Sequence, residues 1–165
     1  MQIKNKIILI IICALILFIF NLNLHAEEFD ISALKFSIDQ KNNIVIGDGD
    51  VEVIDSEGKL IKADKVTYEK SKEFLLVEGS VEVIDVEGNI FKSEKATYDK
   101  KKEIIITYKN SELVLKEGYN LTSDKILYND MKKTISSNQD STLSDIDGNI
   151  VMMSMFEYHL EKNLL

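Results

Sequence analysis

The chain has 165 residues, with 20 basic residues against 28 acidic ones and a formal net charge of −8. All the basic residues are lysines, and proline and tryptophan are absent. So acidic a chain offers no basic stripe to neutralise phosphates, which excludes a nucleic-acid binder, and its single cysteine excludes a disulfide framework.

In chain order, Lys4 and Lys6 form a basic start and Ile7 to Phe20 an unbroken apolar run of 14 residues, diluted by Asn21 and Asn23 before Leu24-His25-Ala26. Fourteen apolar residues fall short of the roughly 20 that a spanning helix needs. Basic start, apolar middle and a small residue before Glu27 predict a signal peptide, residues 1–26, cut after Ala26. Cys13 sits inside the apolar run, which argues against a lipoprotein. The expected mature chain, 27–165, has 139 residues, no cysteine and a net charge of −10 once Lys4 and Lys6 are gone. That is enough for one domain.

Val51 to Ser80 is followed at once by a close copy, VEVIDVEGNIFKSEKATYDKKKEIIITYKN, and the 30-residue period continues without a gap. Gly58, Gly88, Gly118 and Gly148 share one column; Tyr68, Tyr98, Tyr128 and Tyr158 share another. Upstream, Ile31 to Ile38 matches the second half of the unit. A fixed period of this size means one supersecondary unit stacked on itself.

Each unit predicts two strands and two turns. Ser56-Glu-Gly-Lys59 and its repeats form the first turn, where glycine supplies positive φ. Glu69-Lys-Ser-Lys72, Asp99-Lys-Lys-Lys102 and Asn129-Asp-Met-Lys132 open the second on an acid or amide, as a type I turn does. Between the turns lie β-branched and aromatic residues, so consecutive strands run antiparallel. Val77, Val81 and Val83 share a face, and Leu113 and Leu143 repeat the Val83 position. The neighbouring strand carries four further apolar columns. Ile61, Phe91 and Leu121 form one, Ala63 with its small repeats another, and Val66, Ala96, Ile126 and Phe156 a third; the tyrosines are the fourth. Leu75, Ile105 and Ile135 begin the returning strand. Columns spaced two, three and two apart cannot stay on one face of a period-2 strand, so a β-bulge is expected near Asp64-Lys65 and its equivalents. Bulges in line would fold the sheet about a concave apolar interior, which only stacking of the units buries.

The block Lys62-Ala-Asp-Lys-Val-Thr-Tyr-Glu69, with Gly58 before it and Val77-Glu-Gly-Ser-Val-Glu-Val83 after it, resembles the OstA-like family of lipopolysaccharide transport. That family comprises the LptA bridge protein and the N-terminal domain of the LptD translocon. Ser93-Glu-Lys-Ala-Thr-Tyr-Asp99 and Ser123-Asp-Lys-Ile-Leu-Tyr-Asn129 repeat its motif, whereas Met153-Ser-Met-Phe-Glu-Tyr158 loses the acid and the lysine. The resemblance implies an all-β, open antiparallel β-jellyroll, periplasmic, with the apolar columns as a groove for lipopolysaccharide acyl chains. It also implies partners in other jellyrolls joined edge to edge, and an outer-membrane barrel if the chain is part of a longer LptD-like protein. An ordinary filled core, as in a secreted β-repeat scaffold, is the alternative for the same columns.

Catalytic chemistry has little material. His159 is the one histidine after the expected cut, and the carboxylates recur in every copy beside turns, where solvated acids are expected. Asp48-Gly-Asp50 and Asp145-Ile-Asp-Gly-Asn149 lack the spacing of a calcium loop and suit turns. No enzyme activity, metal or cofactor is expected. On the period, Leu164-Leu165 falls two residues into a further strand, so 27–165 is expected to be a jellyroll domain incomplete at its C-terminus, the front of an LptD-like protein rather than a self-contained LptA-like one.

Overall fold

A computed structural model describes residues 28–160; the expected signal peptide and Leu164-Leu165 lie outside them. Twelve strands form one antiparallel sheet: β1 (Phe29–Ser32), β2 (Lys35–Asp39), β3 (Ile44–Asp55), β4 (Leu60–Glu69), β5 (Phe74–Ile84), β6 (Ile90–Asp99), β7 (Ile104–Val114), β8 (Asn120–Asn129), β9 (Thr134–Ser137), β10 (Ser141–Ser144), β11 (Ile150–Met153) and β12 (Phe156–His159). Pairing runs β1-β3-β4-β5-β6-β7-β8-β10-β11, with β2 beside β3, and β9 joining β8 to β12. Among the described residues the sheet does not close. It is the open all-β jellyroll architecture that the repeat predicts.

Long strands stay on one apolar face only because each is bent midway. In β4 the buried residues are Ile61, Ala63, Val66 and Tyr68, while Asp64 and Lys65 are both exposed. The register shifts between Lys62 and Lys65, where the column spacing puts the bulge. The extra residues, however, belong to the odd-numbered long strands. Gly49-Asp50, Gly79-Ser80 and Lys109-Asn110 all have positive φ, and each pair faces a single residue of the next strand. Asp48-Gly-Asp50 is therefore part of a bulged strand and not of a loop.

At the first turn, the glycines have φ of 83° to 94°, and the Gly58 N–H donates to the Asp55 carbonyl at 3.0 Å. The turn thus starts at Asp55, one residue before the position read from sequence; the Asp55 carboxylate accepts from the N–H groups of Glu57 and Lys59, both at 2.9 Å. The second turns after β4 and β6 are single 3₁₀ turns closed by left-handed Glu73 and Glu103, and the turn after β8 is closed by left-handed Lys133; none of the three is glycine. Those residues also join the stack: the N–H of Lys100 donates to the Glu73 carbonyl, that of Asp130 to Glu103 and that of Leu160 to Lys133.

Candidate functional site

Burial of the column residues makes one continuous apolar interior. Eighteen of the twenty expected lining residues are buried in a single cluster, and Leu143 and Tyr158 pack partly buried against it. Through the middle of the stack the packing is tight; Val66 and Leu75 have no exposed surface, and Phe91 lies against the Tyr128 ring at 5.1 Å. Towards β9–β12 the interior widens into a cavity of about 430 Å³. Leu113, Leu121, Ile135, Leu143, Phe156 and Tyr158 of the expected set line it. Leu115, Glu117 and Tyr119 line it too, and the columns did not single them out. One signal was available: Leu115 is the lone apolar member of a column otherwise filled by Asp55, Asp85 and Asp145.

Among the described residues, the inner face is exposed at both ends of the sheet. Phe36 and Ile38 of β2, paired opposite Gly47 and Val45, are 50% and 65% exposed. Val151 of β11, opposite Leu143, is 49% exposed at the other end.

Folding each strand at its bulge brings the two kinds of turn together along a seam. Lys59, from the first turn, is fully buried there and reaches the second turns, with its Nζ 3.3 Å from Glu103, 3.2 Å from Asp130 and 3.0 Å from the Tyr98 hydroxyl. Lys100 Nζ lies 2.7 Å from Glu103, 3.0 Å from Glu57 and 3.5 Å from Asp55. This corrects the expectation that acids beside turns are solvated, because Asp55, Asp85 and Asp130 are all buried. Buried charges persist only when paired and hydrogen-bonded.

The protonation of the seam follows from its contacts. Burial alone would push the Asp55 carboxyl up, but the Lys59 N–H, the Tyr98 hydroxyl and the two ammonium groups outweigh it and hold Asp55 low. Asp130 is held low in the same way, by Lys133, Tyr128 and Lys59 against burial. Burial first, then the carboxylates beside them, push the Tyr98 and Tyr128 hydroxyls up. Both tyrosines are neutral donors to carboxylates, Tyr98 to Asp55 and Glu103 and Tyr128 to Asp130. The carboxylates of Asp55, Glu57 and Glu103 lie close enough together to share a cation, and Lys59 and Lys100 already fill that role. His159 Nε2 lies 3.2 Å from Glu157, and both side chains are exposed.

Comparison with known proteins agrees with this architecture. Residues 30–134 match the family described as "LptA/(LptD N-terminal domain) LPS transport protein". Among solved structures, the chain is similar to LptH from Pseudomonas aeruginosa, the LptA homologous periplasmic component of a lipopolysaccharide transport device. The TM-score is 0.61 at 14% sequence identity, over 78% of this chain and 98% of that one, a likeness of fold. No curated protein matches the chain.

Proposed function

The chain belongs to the LptA/LptD N-terminal-domain family of lipopolysaccharide-transport proteins, and from that membership we propose that it is a non-enzymatic periplasmic lipid conduit, which holds lipopolysaccharide acyl chains in its interior and helps pass them to the outer membrane. One observation carries this reading: the inner apolar face runs without a break through every repeat and emerges uncovered at both ends of the sheet. A core built only for stability would be capped there, since exposed apolar patches mark contact surfaces. Edge-to-edge pairing with other jellyrolls would continue the face from one molecule to the next. Within the family we favour the N-terminal part of an LptD-like assembly protein over a self-contained LptA-like bridge. The alternative role, a ligand-free β-repeat scaffold, draws on the tight packing of Val66 and Leu75.

Site-specific photo-crosslinking separates the two. A crosslinker at inward Val66 or Ile126 is expected to give lipopolysaccharide adducts, and one at outward Glu82 none. Equal labelling at all three positions, or none at any, would leave the scaffold.

A further inference from the structure

The seam changes chemistry along the stack. Its first set, Asp55, Lys59 and Lys100, is charged and closed by the contacts described above. One period on stand Asp85, Asn89 and Asp130, still polar and bonded: Asn89 Nδ2 donates to the Asp85 carboxylate at 2.7 Å, and Lys133 bridges Asp130 to Glu87. A second period on, the same positions hold Leu115, Tyr119 and Leu160. The carboxylate, amide and ammonium of these three positions are replaced by apolar or aromatic side chains, while Glu117 and Tyr158 keep the places of Glu57 and Tyr98. The turn keeps its backbone bonds, Leu115 N–H to the Tyr119 carbonyl and Gly118 N–H to the Leu115 carbonyl, and its Lys116 N–H donates to Asn89 Oδ1 of the second set at 3.2 Å.

The cavity of about 430 Å³ lies beside this apolar third set, with Leu115 and Tyr119 in its wall. Its depth, formed by Leu113, Leu121, Ile135, Leu143 and Phe156, offers a ligand no hydrogen-bonding side chain. Polar groups are confined to the rim. Glu117 and Tyr158 are shared with a small adjoining hollow lined by Asn89, Lys116 and Lys133. A ligand that fits must be apolar along its length and polar at one end, and the volume is within the roughly 300–1,000 Å³ of small-molecule sites.

We propose that the third seam set is a side site for one linear acyl chain, its head group resting on the Lys116–Glu117 rim. This deepens the conduit reading and rests on it: the interior would be sealed along its first two repeats and entered laterally at the third.

The test writes the second repeat's lock into the third. Leu115→Asp/Tyr119→Asn reproduces a pair that the same fold already holds at Asp85 and Asn89. The probe is cis-parinarate, a single chain whose polyene fluoresces out of water, with dodecanol as competitor. The full chain is expected to bind parinarate and to release it to dodecanol, and the double variant to bind at least about tenfold more weakly with its melting temperature kept or raised. Unchanged affinity in the folded variant, or failure of dodecanol to compete, overturns the side site. Ending the chain after Leu160 is expected to leave binding unchanged; a large gain would show that residues 161–165 are the natural occupant and would overturn it too. The outcomes separate from the conduit test. Adducts at Val66 and Ile126 with parinarate binding indifferent to Leu115 and Tyr119 sink only the side site. No adducts, with parinarate binding lost in the variant, sinks only the axial conduit.

Discussion

Lys59 shows what one residue can contribute to this sheet and how little of it a sequence reveals. Its column holds lysine, asparagine, tyrosine and asparagine after a glycine, the composition of an ordinary exposed turn. Its partner Glu103 is 44 residues away, and only the bend in every strand brings the two together. Removing one member of a buried ion cluster leaves the others desolvated and unpaired, so Lys59→Met is expected to destabilise by about 3 kcal/mol, the low end of the usual range, because Lys100 and Lys133 remain. The pH profile gives a second readout. Asp55 and Asp130 are held low, so the stability they contribute is complete above about pH 4 and is lost as pH falls through their folded values. Tyr98, Tyr128, Lys100 and Lys133 are pushed up, so their contribution is complete below about pH 10 and is lost as pH rises further. Thermal melts should therefore show a plateau between those limits. In Lys59→Met the acid limb should be shallower and end at higher pH, since the carboxylates lose a cation that holds them low; an unchanged acid limb would mean that Lys59 does not hold them low.

At the scale of the element, the sequence was most legible where glycine repeats and least where other residues adopt the same backbone. The glycine column marks the first turns, and φ is positive at all four. The second turns use left-handed Glu73, Glu103 and Lys133, and the bulges left-handed Asp50, Ser80 and the Lys109-Asn110 pair beside Gly49 and Gly79; the non-glycine residues carry no sequence mark. Alternation likewise located the register shift in the even strands but not the strand that holds the extra residue, because a parity break shows in both partners. Two substitutions in opposite directions check this account. A Cβ at Gly88 meets nothing within 4 Å, so Gly88→Val has only backbone strain to bear, about 1–3 kcal/mol. Lys109→Gly restores the residue of the first two bulges and removes left-handed strain of about 1–2 kcal/mol against roughly 0.5–1 kcal/mol of added chain entropy. Chemical denaturation should show loss in the first and a neutral to slightly stabilised second. A clear loss in Lys109→Gly would show that the bulge holds Lys109 without strain.

For the whole molecule, the open question is how uncovered edges associate, and strand parity decides which geometries are available. Nine strands lie along the pairing path and each neighbouring pair is antiparallel, so β1 and β11 point the same way. The same holds for the other half of the sheet, where β2 and β12 are the edges. Joining the β11 edge of one copy to the β1 edge of the next therefore requires a parallel pair, slightly weaker per residue than an antiparallel one. Two β11 edges can instead meet antiparallel about a two-fold axis, which closes the assembly at a dimer. A conduit needs the first arrangement, since only head-to-tail contacts continue the interior. Its apolar content is at hand: Phe36 and Ile38 at one edge, Ile150, Val151 and Met152 at the other, the last 81% exposed. We expect Phe36→Lys/Ile38→Lys and, separately, Val151→Lys/Met152→Lys each to abolish concentration-dependent association in sedimentation, without lowering the melting temperature. Mixing the two variants should then restore a one-to-one complex and nothing larger, because each copy keeps one intact edge of opposite kind. If either variant alone still forms a dimer, the contact is two-fold and the acyl path does not pass from copy to copy through it.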